Sequence, residues 1–287
     1  MRTSDWQDYE LIDASSGERL ERWGDILLIR PDPQIIWDSE KKDPRWHNAH
    51  ARYHRSNKGG GHWELYKKMP DVWPISRKGL TFRLKPMGFK HTGLFPEQAV
   101  NWDYVSEIIG KAGRPVKVLN LFGYTGAATL ACLKAGASVT HVDASKGMVQ
   151  WAKENAAVSG LAERPVRWLV DDCVKFVQRE QRRGNRYDGI IMDPPSYGRG
   201  PGGEVWKLEE QMDGLLRLCL TVMEPLFLVL NSYTTGLSPA VMEYLLNVLM
   251  VPKLGGTVSA GEIGLTVTSP GMVLPCGNTA IWRGEGL

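Results

Sequence analysis

The chain has 287 residues, 43% of them hydrophobic and 23% charged. That is the composition of a soluble protein with a sizeable core, and at about 150 residues per domain it allows one large domain or a large and a small one. No apolar run reaches the roughly 18 residues that a membrane helix needs. The net charge of +3 conceals three unequal stretches. Residues 1–40 hold 4 Lys/Arg and 10 Asp/Glu, a net −6; residues 41–90 hold 13 and 3, a net +10; residues 91–287 hold 18 and 19, a net −1. The four cysteines (Cys132, Cys173, Cys219, Cys276) are scattered without a CxxC, which argues against a disulfide framework or a Cys-rich zinc site. Met1 to Asp13 is polar and partly acidic and lacks the basic and apolar blocks of a secretory signal, so a cytoplasmic location is expected.

Residues 1–90 read as a small β-rich module. Tyr9 to Asp13, Asp25 to Arg30 and Gln34 to Trp37 are short apolar runs separated by Ser-Ser-Gly and Pro-Asp-Pro, and Leu80 to Leu84 alternates as a strand does. Between them, residues 41–62 read as a mobile basic loop. From about residue 99 the rhythm changes. Val100 to Ile109 has helical spacing, Val116 to Phe122 reads as a strand, and Gly126 to Lys134 as a helix. Strands at Ser138–Asp143, Val166–Val170, Tyr187–Asp193 and Leu226–Asn231 then alternate with helices at Lys146–Val158, Val174–Arg183, about Glu204–Val222 and Pro239–Leu249. Thr257 to Ile263 and Thr279 to Trp282 suit two closing strands. Nearly continuous apolar strands alternating with helices predict a parallel sheet covered on both faces.

In such a sheet, ligands bind beyond the carboxyl ends of the strands. The first of these strands ends in Asn120-Leu-Phe-Gly-Tyr-Thr-Gly126. Its two glycines let backbone approach a ligand, and the following helix offers free N–H groups to a carboxylate; an ordinary tight turn explains it equally well. Asp143 closes the second strand, 17 residues past Gly126, near the distance at which an acid accepts ribose hydroxyls. Asp171 and Asp172 close the third, where a carboxylate can accept from an adenine amine. Asp143, Ser145 and the Asp171-Asp172 pair would also serve as helix caps. Asp193-Pro-Pro-Ser-Tyr197 closes the fourth. A ligand with ribose, adenine and amino-acid ends would meet these positions in chain order, and S-adenosylmethionine is that ligand.

The stretch 118–197 resembles class I S-adenosylmethionine-dependent methyltransferases, through Asn120 to Gly126, Val142-Asp-Ala-Ser145, Asp171-Asp172 and Asp193-Pro-Pro195. More narrowly it is similar to the bacterial large-subunit rRNA cytosine-C5 methyltransferase family and relatives of that family, with His91-Thr-Gly-Leu-Phe-Pro-Glu-Gln98 resembling the entry to its catalytic domain. The resemblance implies an α/β, Rossmann-like, seven-stranded, mostly parallel sheet with a reversed last strand. It also implies a cofactor site at Asn120, Phe122, Gly123, Tyr124, Thr125, Gly126, Asp143, Ala144, Ser145, Asp171, Asp172 and Asp193, with Gln98 bordering the methionine end. The domains expected are 1–90 and 91–287.

Two departures bear on chemistry. Residues 1–90 do not clearly match the PUA-type RNA module of those enzymes. Their nucleophilic Cys just after strand five is missing from Asn231-Ser-Tyr-Thr-Thr-Gly236, and C5 of cytosine needs thiolate addition at C6 to become reactive. Cys173 is the one cysteine near a strand end, where a helix N-terminus can lower a thiol pKa; packing is the plainer role for it. Asp193-Pro-Pro-Ser-Tyr197 resembles instead the Asp/Asn-Pro-Pro-aromatic motif of amino-methylating enzymes, with Ser inserted. There Asp193 and the Pro194 carbonyl accept the amine hydrogens and Tyr197 stacks on a flipped base; a rigid turn with Tyr197 in the core is the alternative. In the basic stretch, Lys41, Lys42, Arg45, Arg52, Arg55, Lys58, Lys67 and Lys68 interleave with Trp46, Tyr53, Trp63 and Tyr66. That pattern suits RNA, phosphates to the cations and bases to the rings, or else a solvated loop. His47, His50, His54 and His62 lack an acid or Cys to complete a metal site, and no metal is expected.

Three readings follow: an enzyme methylating a base in rRNA or other structured RNA; a methyltransferase for a protein or small molecule with 41–90 as a lid; or a nucleotide-binding module without catalysis. The missing GxGxxG argues against a Rossmann dehydrogenase.

Overall fold

The computed structural model describes residues 5–56, 60–199, 205–234, 236–269 and 271–285. The chain forms two compact units, Met1–Ala99 with Gly264–Cys276, and Val100–Ile263 with Gly277–Leu287.

The first unit holds a five-stranded sheet in the order β1 (Tyr9–Ser15), β2 (Glu18–Trp23), β3 (Ile26–Pro31), β4 (Ala51–Arg55), β5 (Gly61–Leu65), and a hairpin of β6 (Trp73–Arg77) and β7 (Leu80–Leu84). Only β3 and β4 pair in parallel. The β1–β2 turn is Ser16-Gly17, with φ of 53° and 75°, the two left-handed residues that suit the twist of a tight hairpin. Strand β2, Glu-Arg-Leu-Glu-Arg-Trp, escapes a hydrophobicity reading because its buried positions include Arg19 and Glu21. Glu21 is fully buried, takes a bidentate pair from Arg30 at 2.6 and 2.8 Å, and accepts the Tyr9 hydroxyl at 2.8 Å.

Two sequence expectations fail here. Gln34 to Trp37 is not a strand: the Ile35 and Trp37 carbonyls serve the Ser16-Gly17 turn, and Ile36 is 91% exposed. The basic stretch is no open loop either. Pro44–His47 forms a 3-10 turn, and β4 and β5 pair antiparallel from Ala51↔Leu65 to Arg55↔Gly61. The alternation that signals β4 is present, Ala51 and Tyr53 inward, but charges at the outward positions mask it. Part of the positive charge is engaged by nearby acids. Arg45 pairs with Asp43 and Glu10, while Arg52 and Lys41 both pair with Glu18. Lys41 also lies 4.2 Å from the Trp46 ring. Lys58 lies outside the described residues. Of the histidines, His54 pairs with Glu64 and His50 accepts the Leu27 N–H; no group of three or more potential metal ligands occurs among the described residues.

The second unit is built on α1 (Ala99–Lys111), β8 (Lys117–Leu121), α2 (Ala127–Lys134), β9 (Ser138–Asp143), α3 (Lys146–Val158), β10 (Val166–Val170), α4 (Cys173–Arg183) and β11 (Tyr187–Met192). A ribbon of β12 (Tyr197–Arg199) and β13 (Val205–Lys207) leads into α5 (Leu208–Leu220), β14 (Met223–Ser232), α6 (Pro239–Leu249), α7 (Val251–Leu254), β15 (Thr257–Thr266) and β16 (Val273–Arg283). The sheet order is β10-β9-β8-β11-β14-β16-β15, parallel from β10 to β14, with β16 antiparallel to β14. This is the seven-stranded, mostly parallel sheet that the resemblance implies. Apolar residues of β8, β11 and β14 pack with α4, α5 and α6 in one core. The ribbon was not foreseen: three-residue strands carry too little pattern, and Gly200 to Glu204, where the sequence suggested a helix start, lies outside the described residues. No helix of the described residues is long and apolar enough to cross a membrane.

Candidate active site

Strand order reverses between β8, whose next strand β9 lies on one side, and β11 on the other. At such a switch the loops after adjacent strands diverge and leave a crevice. The predicted residues of 120–197 stand at or just beyond the carboxyl ends of β8, β9, β10 and β11.

The loop after β8 is an unusual piece of backbone. Phe122 and Tyr124 have φ of 56° and 49°, and Gly126 has φ of 87°; non-glycine residues rarely hold positive φ unless their surroundings impose it. Gly123 is required by packing: a Cβ there would lie 2.4 Å from the His141 ring. A buried relay lies beneath. Asn120 Nδ2 donates to Thr129 Oγ1 at 2.9 Å, and Thr129 Oγ1 hydrogen-bonds His141 Nδ1 at 3.0 Å. His141 is fully buried, and burial pushes its pKa down to about 3, which keeps the ring neutral. Asn120 thus shapes the loop from below. Phe122 N–H donates to Cys173 Sγ at 3.3 Å, and Asn155 Nδ2 donates to the Thr125 carbonyl at 2.9 Å.

Asp143, half-buried at the end of β9, grips both neighbouring loops. One carboxylate oxygen accepts Tyr124 N–H at 2.9 Å and the other Ser145 N–H at 2.8 Å. Burial pushes its pKa up, opposed by those two N–H donors. Each oxygen keeps a lone pair for a further donor. Ala144 is exposed, and Ser145 caps α3 through Met148 N–H. At the end of β10, Asp171 pairs with Arg179, while Asp172 caps α4 by accepting Lys175 N–H at 2.8 Å. Cys173 is buried, and burial pushes its thiol pKa well above the ordinary value. It is a packing residue under the loop, not an activated nucleophile.

After β11, Asp193 is half-buried, Pro194 buried and Pro195 exposed. Tyr197 is 54% exposed, so the alternative that put it in the core falls. Ser196, the residue that interrupts the resembled motif, bonds Thr234 of the loop after β14, hydroxyl to hydroxyl at 2.5 Å. Trp206 of β13 was missed entirely. Its indole N–H donates to the Pro195 carbonyl at 2.7 Å, and its ring lies 5.4 Å from that of Phe122. It therefore ties the loop after β8 to the loop after β11. A Trp following a Pro/Gly-rich stretch was the only available signal, and periodicity assigns it nothing. Gln98 lies in the first unit, buried at the end of the 3-10 turn Pro96–Gln98.

The donor set suits S-adenosylmethionine: a strand-end carboxylate with spare lone pairs, a helix N-terminus behind a loop with left-handed residues, and a second carboxylate at the switch.

Comparison with known proteins agrees. The profile of the S-adenosylmethionine-dependent methyltransferase family matches residues 43–224. A solved S-adenosylmethionine-dependent methyltransferase from Agrobacterium tumefaciens is 40% identical, covering 98% of this chain and 92% of its own, at a TM-score of 0.93. A methyltransferase, SMU.776, solved in complex with SAH has a TM-score of 0.74 at 19% identity, covering 97% of this chain and 76% of its own. Among curated proteins, the ribosomal RNA large subunit methyltransferase K/L of Pseudoalteromonas atlantica is 31% identical over 238 residues, 76% of this chain and 33% of the relative. That of Shewanella sp. (strain ANA-3) is 30% identical over 71% of this chain and 27% of the relative. The chain spans about a third or less of the length of these curated relatives.

Proposed function

Because the chain belongs to the S-adenosylmethionine-dependent methyltransferase family, we propose that it methylates an amine of a base in structured RNA, ribosomal RNA first, in the cytoplasm. The Asp193-Pro-Pro motif at the switch, with exposed Tyr197 beside it and no activated thiol near it, carries the amine reading. The large-subunit rRNA activity in the names of the relatives supports RNA as the acceptor. Cytosine C5 is disfavoured on the chemistry, since the only cysteine near a strand end is buried and protonated. When bound, S-adenosylmethionine supplies an electrophilic sulfonium methyl group. The chain does the rest. Asp143 receives the ribose hydroxyls, Asp172 borders the adenine, the loop Phe122 to Gly126 holds the amino-acid end, Asp193 takes the amine hydrogens, and Tyr197 stacks on the base.

Asp143→Ala is expected to weaken cofactor binding at least about tenfold, since a hydrogen bond to a charged group contributes about 1.5–3 kcal/mol. Calorimetry with S-adenosylhomocysteine on the folded variant checks this, and unchanged affinity removes the ribose role.

RNA as acceptor is tested by tritium transfer from labelled cofactor to deproteinised ribosomal RNA of a strain lacking the protein; label on protein and not on RNA would favour the alternative acceptor. The surface partner is tested separately. Arg45 and Arg52 are engaged with acids, so their reversal would disturb the unit itself. Arg55 and Lys68 are exposed, with no ion pair among the described residues. Reversing both to Glu should weaken RNA binding and flatten its salt dependence by roughly 0.7 in log-log slope for each single-strand phosphate left unneutralised. Equal affinity of the double variant and the wild type, by gel shift at two salt concentrations, would remove this surface as the RNA-binding face.

A further inference from the structure

Near the end of β14, before the loop in which the resembled cytosine enzymes carry their cysteine, stands Asn231. Strands β11 and β14 run parallel in register, with Ile191 opposite Val229 and Met192 opposite Leu230. Met192 and Leu230 both enter the core beneath α5 and α6. The next step along each strand brings Asp193, at the switch, and Asn231, one strand beyond it, to neighbouring strand ends, and the pleat sends Asn231 to the face opposite Leu230. There the residue is 2% exposed and meets α1.

The orientation of its amide is dictated by a buried relay. Thr279, the cross-strand partner of Asn231 on β16, donates its hydroxyl to Asn101 Oδ1 at 3.3 Å. Asn101 Nδ2 then donates to Asn231 Oδ1 at 2.9 Å. With its oxygen taken, Asn231 presents Nδ2–H₂, which has no hydrogen-bond partner among the described residues. Those amide hydrogens are left for a further acceptor. The Ser196–Thr234 link joins the loops that follow Asp193 and Asn231, so an acceptor carboxylate and an amide donor stand on neighbouring strand ends whose loops are tied together.

Resting on the amine-methylating reading above, we infer that Asn231 is a substrate-positioning residue that recognises the amidine edge of a nucleobase. Its Nδ2–H donates to the unprotonated ring nitrogen next to the exocyclic amine, whose hydrogens go to Asp193. The pair fixes the base plane, so that the amine lone pair faces the incoming methyl. Uracil, which has no exocyclic amine, is refused.

Asn231→Asp is the discriminating variant, because the carboxylate still accepts from Asn101 but no longer donates. With tritiated cofactor and deproteinised ribosomal RNA at pH 8, its kcat/KM is expected to fall about 30- to 100-fold while S-adenosylhomocysteine affinity stays within about threefold. As pH falls toward about 5.5, the introduced carboxyl, its pKa raised by burial beside Asp193, protonates and donates again. The ratio of variant to wild-type rate should therefore climb as pH drops. A variant as active as the wild type at pH 8, or a loss of the same size at every pH, overturns the inference. Should this variant fail to fold, Asn231→Ser takes its place, with a loss of about tenfold in kcat/KM at unchanged cofactor affinity; wild-type kinetics there overturn it equally. Wild-type protein that labels no RNA sinks the functional reading itself, a result separate from any behaviour of the variants.

Discussion

Asp193→Ala is expected to bind S-adenosylmethionine with near wild-type affinity and to lose about 100- to 1,000-fold in kcat, the usual size of losing one preorganised polar group that acts on the reacting centre. The separation follows from the site's layout. Asp143 engages the loop after β8 directly, through Tyr124 N–H. Asp193 follows β11, on the opposite side of β8 from the strand that carries Asp143. As the amine is alkylated its hydrogens become more acidic, so a carboxylate accepting them stabilises the transition state more than the ground state. Asp193→Asn keeps an oxygen acceptor at the same place, and its loss should be roughly tenfold smaller. Single-turnover methylation together with calorimetry reads both quantities. Lost cofactor affinity with normal turnover at saturation would assign Asp193 to the cofactor instead.

The sequence made the second unit legible because its central strands, β8, β11 and β14, are buried on both faces and the helices between carry their own caps and apolar stripes. Ser138–Asp143, Lys146–Val158, Val166–Val170 and Pro239–Leu249 begin and end where their apolar and capping residues say they should. The strand-end acids stood out for the same reason, being polar residues at the close of apolar runs. The first unit hid its strands because it buries charge. The alternation of β2 passes through Arg19 and Glu21, and that of β4 through Arg52 and His54. Charge counting saw the +10 of residues 41–90 but not that Glu10 and Glu18, distant in sequence, take up Arg45, Arg52 and Lys41. Trp206 and the Ser196–Thr234 link were invisible for a further reason: both depend on where loops return, which local pattern does not encode.

The same buried charges predict the largest effect on stability. Glu21 is fully buried with Arg30, which is 1% exposed, and Arg19, which is 7% exposed. Burial alone pushes the Glu21 carboxyl pKa up, but the Arg19 and Arg30 guanidiniums and the hydrogen bonds from Arg30 and Tyr9 more than reverse it, holding it at about 2. Glu21→Gln keeps the shape and removes the charge, leaving two buried guanidiniums with only Asp32, 3.7 Å from Arg19, as counter-charge among the described residues. Breaking a buried pair in this way costs about 3–5 kcal/mol. Hydrogen exchange of the β1–β3 amides should report that loss in the first unit, and protection within about 1 kcal/mol of wild type would show the pair to be dispensable. A folded pKa below the unfolded value means that the carboxylate's contribution is complete above about pH 4.5 and is lost as pH falls toward about 2. Wild type should therefore lose protection in β1–β3 over that acid range, and Glu21→Gln should lose less there, having no carboxylate to protonate. Replacing Glu21, Arg19 and Arg30 together by apolar residues of similar volume tests the reverse case. The desolvation cost disappears with the charges, so the triple variant should recover much of what the single one loses. If it instead falls further, the network stabilises the unit through more than charge pairing, and the hydrogen bond from Arg30 to the Lys90 carbonyl at 2.9 Å is the one to remove next.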